Sequence, residues 1–312
     1  MHYLRCMQTA SLLEGIVSGD KRLIARAITL VENDLPGAEE LMQAMPVKHD
    51  LPVFGVTGPP GAGKSTLISS MIRELCASPH ANGHPNRIAV VAVDPTSPFT
   101  HGSLLGDRLR MQEHFNHPQV FIRSLATRGA LGGLSARTLE VCDILRSAPF
   151  DYLFIETVGV GQSEVEIISL ADTVAVTLVP EAGDEIQALK SGIMEIGDIF
   201  VVNKSDREGA DRFAAGIVKT LHERPIHGSW QIPVIKTMAG EPSGIHQLLQ
   251  AFRDHAGHRD SERKLHLMAQ RAYRLIQDQR MKGVSIVDLE KQLAPLVGSE
   301  GFNLYRFIGD FR

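Results

Sequence analysis

The 312-residue chain has little of what would place it outside a cell or in a membrane. Its three cysteines, Cys6, Cys76 and Cys142, stand far apart and form no C-x-x-C pair. That excludes a disulfide framework and fits thiols in a reducing compartment. No apolar run approaches the ~20 residues of a membrane span. The opening MHYLRCMQTASLLEG has neither the apolar core of a signal peptide nor the Arg/Ser-rich composition of a transit peptide, so the cytoplasm is the expected location. The net charge is only −4, so there is no cationic excess to draw a polyanion. Aromatics make up 5% of the chain, with a single tryptophan, Trp230, and the basic residues around it do not interleave with aromatics. Nucleic-acid binding therefore has no support.

What is present is an ordinary globular composition, 43% apolar and 22% charged. Seven short apolar runs alternate with helical patterns: Val53–Val56, Ile88–Val93, Val120–Arg123, Tyr152–Glu156, Thr173–Val179, Ile199–Val202 and Pro233–Ile235. Several are continuously apolar, as strands buried on both faces are. The alternation predicts an α/β fold, a doubly wound, mostly parallel sheet flanked by helices. Residues 9–31 read as two helices, the first with a stripe of Leu12, Leu13, Ile16 and Val17, the second capped by Asp20. Leu35 to Pro52 reads as a Pro- and Gly-bearing linker. After Asp254 the sequence turns charged and helical, with a stripe at Leu265, Met268, Ala272, Leu275 and Ile276 and a second segment at Ser285–Leu293. The expected organisation is an N-terminal helical extension (1–50), a nucleotide-binding domain (51–253) and a C-terminal helical arm (254–312).

The most informative string is GPPGAGKST, which fits G-x-x-x-x-G-K-S/T and stands between a predicted strand and a predicted helix. Strand, glycine turn and helix together make a P-loop. The residues expected to wrap the phosphates are Gly58, Pro59, Pro60, Gly61, Ala62, Gly63, Lys64, Ser65 and Thr66. Glycines let several backbone N–H groups point at one anion, and the helix N-terminus adds its positive dipole end. Lys64 supplies charge for the β- and γ-phosphates, and the Ser65 hydroxyl is a ligand for Mg2+.

A second string, NKSD (Asn203–Asp206), follows the apolar run DIFVV and so falls at a strand's C-terminal end, where doubly wound sheets bind ligands. Asp206 can accept from guanine N1–H and its 2-amino group. Adenine lacks both donors and would leave the carboxylate unpaired. Asn203 would brace the loop and reach the purine edge, and the Lys204 stem would cover the ring. The bound ligand is expected to be GTP or GDP, making the chain a GTPase.

The strand YLFIE ends at Glu156 and is followed by Thr-Val-Gly159, at the spacing of the D-x-x-G element that touches the metal's water shell and the γ-phosphate. Glu156 could reach that shell or a neighbouring lysine. In Val93–Met111, Asp94 ends a buried strand and Asp107 follows a Pro- and Gly-bearing loop, the makings of a switch. Both are candidate magnesium-shell or water-positioning carboxylates, alongside Ser65 and Glu156. Arg108 or Arg110 could stabilise γ-phosphoryl charge, and a solvated helix face suits them equally. Val160 cannot orient water and Gln162 lies two residues further on. Slow intrinsic hydrolysis, accelerated by a partner, is expected.

These strings, together with GDKRLIARAITLVE (19–32), RSLATRGALGGLS (123–135), ETVGVGQSEVE (156–166) and EAGDEIQALKSGIMEIGDI (181–199), resemble the MeaB/ArgK family. Its members are relatives of the human methylmalonic aciduria type A protein, within the SIMIBI class of P-loop GTPases. The resemblance implies a GTP-driven chaperone that gates cofactor loading and protection of an adenosylcobalamin-dependent acyl-CoA mutase of the methylmalonyl-CoA type. It implies that Asp94, Asp107 and Glu156 form an acidic shell around the metal and attacking water. It also implies that Glu181–Lys190 is an extra switch whose Lys190 meets the glutamate of the second switch when the mutase is bound. Two departures stand out. The base-clasping segment, usually T-S-A, is Lys236-Thr237-Met238-Ala239-Gly240, where Met238 and Ala239 would act through their backbone. The C-terminal arm, which carries the family's dimer contact, matches weakly. A homodimer is the implied assembly, and the Leu265–Ile276 stripe fits either a dimer helix or packing on its own core.

Two alternatives belong to other classes. One is a kinase of a periplasmic amino-acid-binding protein, the label some ArgK proteins carry, for which no acceptor-pocket motif is visible. The other is a metallochaperone GTPase. Among the 13 histidines, His114-x-x-His117 and His255-x-x-His258 have ligand spacing, yet no cysteine joins them and Pro118 breaks a helix carrying the first pair. Surface histidines are the expected reading of both pairs.

Overall fold

A computed structural model describes residues 2–48, 50–80, 82–94, 111–126, 137–157, 167–180, 194–223, 230–258, 261–281, 283–299 and 301–309. The chain divides into two compact units, Met1–Asp260 and Ser261–Arg312. The first holds a seven-stranded sheet of β1 (Val53–Thr57), β2 (Ile88–Asp94), β3 (Val120–Ala126), β4 (Tyr152–Glu156), β5 (Thr173–Leu178), β6 (Ile199–Asn203) and β7 (Val234–Thr237). The order is β3-β2-β4-β1-β5-β6-β7 and every pairing is parallel. Each expected strand is present, and β1, β5 and β6 are buried along their whole length, as two-sided coverage demands.

Strand alternation sorts the core into two layers. One face of the sheet carries Val53, Val91, Leu153, Ile155, Val176 and Phe200 against α1 (His2–Ser18), α2 (Lys21–Glu32), α3 (Ala38–Ala44), α5 (Thr138–Ser147) and α6 (Ala210–His222). The other face carries Phe54, Val56, Val90, Phe154 and Val201 against α4 (Lys64–Ala77) and α7 (Ile245–Gly257). There Phe252 of α7 packs on Phe54 at a 44° tilt with ring centroids 4.6 Å apart.

The N-terminal helices share the core of the sheet. Ile24, Ala27, Ile28 and Val31 of α2 are buried, as are Leu12 and Ile16 of α1, whereas Val17 is exposed, outside the stripe expected of it. Ionic and polar ties reinforce the packing. Lys21 Nζ donates to the carbonyls of His117 (2.8 Å) and Val120 (2.7 Å), and burial lowers its pKa. Arg123 on β3 reaches Glu32 at 2.6 Å. The segment expected as a linker contains α3, whose Ala38 and Leu41 are buried; tertiary burial of two small apolar contacts holds a seven-residue helix that has too little periodicity to be read from sequence.

The second unit comprises α8 (Ser261–Arg280), α9 (Ile286–Leu293) and α10 (Leu304–Gly309). Ser285 caps α9 by accepting the Asp288 N–H. Leu265, Met268, Leu275 and Ile276 of α8 are exposed. Among the described residues no helix is long and apolar enough to cross a membrane.

Asp20 caps α2 as its position predicts, its Oδ1 accepting from Arg22 N (2.8 Å) and Leu23 N (3.1 Å). Asp20→Ala should lower unfolding free energy by about 1 kcal/mol. In urea titrations that appears as an earlier midpoint with an unchanged slope.

Candidate nucleotide site

β1 lies in the middle of the sheet between β4 and β5. Its C-terminal end feeds the turn Gly58–Gly63 into α4. Gly58 has φ 137° and Gly63 φ 87°, values an L side chain rarely adopts. A Cβ on Gly58 would also overlap the Thr177 carbonyl of β5, and one on Gly63 would overlap the Asn203 carboxamide. The two positions therefore need glycine for conformation and for space. The first helical amide bond of α4 is Leu67 N to Gly63 O at 2.9 Å, so the amides of Lys64, Ser65 and Thr66 precede it at the helix N-terminus. That end of α4 can hold an anion. Lys64 is buried, its Nζ donating to the carbonyls of Gly58 (2.8 Å) and Pro59 (3.1 Å), within the loop it is expected to serve.

Glu156 is the last residue of β4, in register with Val56 of β1. Ser65 Oγ donates to Glu156 Oε1 at 2.6 Å, and both residues are at most 3% exposed. The two oxygens expected near Mg2+ are thus adjacent at the phosphate end of the site. Beside them Thr57 and Thr157 share a hydrogen bond of 2.8 Å. Asp94 is the last residue of the neighbouring β2, two positions beyond Ala92, the register partner of Glu156. Asp107, Arg108, Arg110, Gly159, Val160, Gln162 and Lys190 lie outside the described residues.

The base end is built on Asn203, which closes β6 and is 1% exposed. Its Nδ2 donates to Ala62 O at 2.8 Å. Its Oδ1 accepts from Thr237 Oγ1 and from Ala239 N, both at 3.1 Å. The oxygen is thereby saturated, and among the described contacts one Nδ2 proton remains to face a purine. Lys204 takes a left-handed φ of 55° and stretches back so that its Nζ donates to Gly61 O at 2.9 Å. Its stem thus spans from the NKSD loop to the P-loop. Ser70 of α4 donates to the Ala239 carbonyl, and Met238 N donates to Ser243 O at 3.3 Å, so this segment is shaped by its backbone. Asp206 is exposed at the rim. The phosphate loop and the base loop form one bonded platform, an arrangement able to hold a nucleotide by both ends.

The family model described as Methylmalonyl Co-A mutase-associated GTPase MeaB matches residues 24–288. The chain belongs to the MeaB family. It is 46% identical over 251 residues to a Pyrococcus horikoshii protein named as a GTPase, covering 78% of this chain and 76% of that one. It is 36% identical over 262 residues to the mitochondrial methylmalonic aciduria type A homolog of Mus musculus, covering 78% of this chain and 62% of that one. A solved LAO/AO transport system kinase superposes with TM-score 0.67 at 24% identity, covering 98% of this chain and 96% of that one, which shows the shared P-loop fold. This MeaB-family chain binds guanine nucleotide and hydrolyses GTP.

Two features of the MeaB-family site escaped sequence reading. Asn203 reaches into the P-loop, which only the strand order makes possible. Behind α4, His114 is buried, a correction to the expectation of a surface residue. Its Nε2 pairs with Ser69 Oγ at 2.8 Å, one turn along α4 from Ser65, and Glu113 accepts from Ser69 (2.8 Å) and Arg73 (2.9 Å). No local spacing in the sequence signals a contact between residues so far apart. His117 faces Cys76 Sγ at 3.8 Å, and His255, expected at the surface, is half-buried and pairs with Thr173 Oγ1 at 2.7 Å.

Burial lowers the His114 pKa below its ordinary 6.5, with Glu113 opposing and Arg73 and His117 adding to the effect. A base whose folded pKa is depressed favours folding above its unfolded pKa, and that stability is lost as pH falls from about 6.5 toward the folded value. Unfolding midpoints should therefore drop between pH 7 and 5.5. His114→Gln, which can keep the Ser69 bond, should flatten the decline. The Glu113 pKa is lowered by its bonds to Ser69 and Arg73, and its contribution is lost only below the ordinary carboxylate range, a separate window.

Proposed function

We propose that this GTPase is a nucleotide-driven chaperone that gates cofactor loading and protection of an adenosylcobalamin-dependent acyl-CoA mutase. The family description, mutase-associated GTPase, and the disease-homolog name of the mouse relative support the partner class. The observation that carries the reading is the direct bond from the P-loop serine to the buried Glu156. It makes the residue before the second-switch segment answer to whatever occupies the phosphate loop, and a partner that moves that segment would act back on the phosphates.

In this reading the amides of Gly58–Thr66 and the Lys64 ammonium hold the triphosphate and offset charge that develops as water attacks the γ-phosphorus in line. Asn203, Lys204, Met238 and Ala239 seat the purine, and Asp206 selects guanine. Ser65 and Glu156 present hard oxygen donors side by side, the kind Mg2+ takes, with Asp94 and Asp107 as further carboxylates of the same shell. When bound, Mg2+ neutralises charge on the β- and γ-phosphate oxygens. Gly159 would donate its amide to the γ-phosphate. Lys190 would approach Glu156 when the mutase docks and so alter the charge near the phosphates. The exposed stripe of α8 supports homodimerisation through Leu265, Met268, Leu275 and Ile276 against a second copy.

GTP turnover by the purified chain should be slow and should rise at least tenfold on adding the cognate mutase. No stimulation by, and no complex with, any cobalamin-dependent acyl-CoA mutase would refute the chaperone role. Independently, Asp206→Asn should weaken GTP at least tenfold and shift preference toward xanthosine triphosphate. An unchanged nucleotide preference would overturn the base-pocket assignment.

A further inference from the structure

At the N-terminal ends of β2 and β4, opposite the nucleotide, three ligand-type side chains converge. The turn after α4 is His80-Ala-Asn-Gly-His84. Gly83 adopts φ 82°, Gly83 N donates to His80 O and His80 N to His84 O, each at 2.8 Å, and Pro79 pairs with Pro85 in an antiparallel bridge. The turn brings the two imidazoles face to face, with centroids 4.5 Å apart and planes within 5° of parallel. Asp151, immediately before β4, supplies the third group. Its Oδ1 lies 3.9 Å from His80 Nε2 and 3.8 Å from His84 Nε2, and one ligand atom from each residue falls within 4.8 Å of the others.

We propose that His80, His84 and Asp151 bind a divalent transition-metal ion of the zinc class, at a site distinct from the nucleotide's. β4 runs from beside Asp151 to Glu156, which separates the two sites by about 16 Å at ~3.3 Å per residue. Two imidazoles and one carboxylate suit Zn2+, Co2+ or Ni2+ rather than Mg2+ or Ca2+. Tetrahedral bonds of about 2.0–2.2 Å set ligand atoms roughly 3.4 Å apart, and each imidazole Nε2 stands only a few tenths of an ångström beyond that spacing from Asp151 Oδ1.

Hydrogen bonding does not account for the cluster, because 3.8–3.9 Å exceeds donor–acceptor range. The surrounding groups already orient two of its three members toward an ion. His84 Nδ1 lies 3.1 Å from Pro85 O, which places its proton there and leaves the Nε2 lone pair toward Asp151. Asp151 Oδ2 accepts Arg87 N–H at 2.7 Å, holding the carboxylate with Oδ1 toward the imidazoles. His80 Nδ1 accepts Asn82 N–H at 3.2 Å, so its proton sits on Nε2. Ion uptake displaces that proton to Nδ1 and gives up this single long bond. The bound ion would tie the turn that leaves the P-loop helix to the start of the strand that ends on Glu156. His84 and Asp151 also line an open cleft with Lys48 and Arg87, which leaves room for water to complete the coordination.

The test uses the full-length chain stripped with chelator and titrated with Zn2+ by calorimetry and with Co2+ by visible absorption, with Mg2+ as control. One saturable Zn2+ or Co2+ per chain is expected at this site, indifferent to Mg2+. His80→Ala and His84→Ala should each weaken it at least tenfold while leaving GTP turnover in Mg2+ unchanged. Circular dichroism checks that these turn variants fold. Absence of saturable Zn2+ binding, or equal stoichiometry and affinity in the double variant, overturns the proposal.

Discussion

The carboxamide of Asn203 is the constraint on which the nucleotide edge depends. From one buried side chain it bonds the P-loop at Ala62, the end of β7 at Thr237 and the segment beyond at Ala239. Removing it would orphan three polar groups, each worth about 1–3 kcal/mol when buried and unsatisfied. Gly63 belongs to the same constraint, since any side chain there would strike Asn203. Phosphate loop and base loop therefore cannot adjust independently, and a nucleotide meets a platform whose two ends are already at a set spacing.

At the phosphate end the corresponding element is the Ser65–Glu156 bond. A carboxylate buried to 3% exposure needs a charge-assisted partner, and the serine hydroxyl supplies one. The His114–Ser69 contact sits one turn further along α4 and ties the same helix to the residues that follow the Asp94–Arg110 segment. α4 is thus held at its phosphate end and along its flank.

Much of this was legible in the residues. The seven apolar runs marked seven strands, most clearly β1, β5 and β6, where two-sided burial leaves no room for alternation. GPPGAGKST and NKSD, each beside such a run, marked two loops that the structure brings together through Asn203 and Lys204. Asp20 announced a helix start through its short acceptor side chain. Other features were hidden. α3 is too short and too weakly periodic to separate from a linker, and Val17 continued the stripe of Leu12 and Ile16 in sequence yet is exposed at the end of α1. His114 looked like one of many polar residues until a buried serine on a distant helix gave it a partner. The His80–His84–Asp151 group joins residues separated by β2 and β3, and no spacing rule spans that distance.

The sequence by itself determined the strands, the longer helices and the glycine turn between β1 and α4, since each rests on interactions within a few residues: burial periodicity, a capping side chain, glycine dihedrals. Tertiary structure alone decided which side chains meet. The strand order places β4 and β5 beside β1, and parallel register then sets Glu156 level with Val56 and packs Thr177 against Gly58. Those contacts join residues far apart in the chain, and only the closing of the sheet, driven by burial of both its faces, brings them within bonding distance.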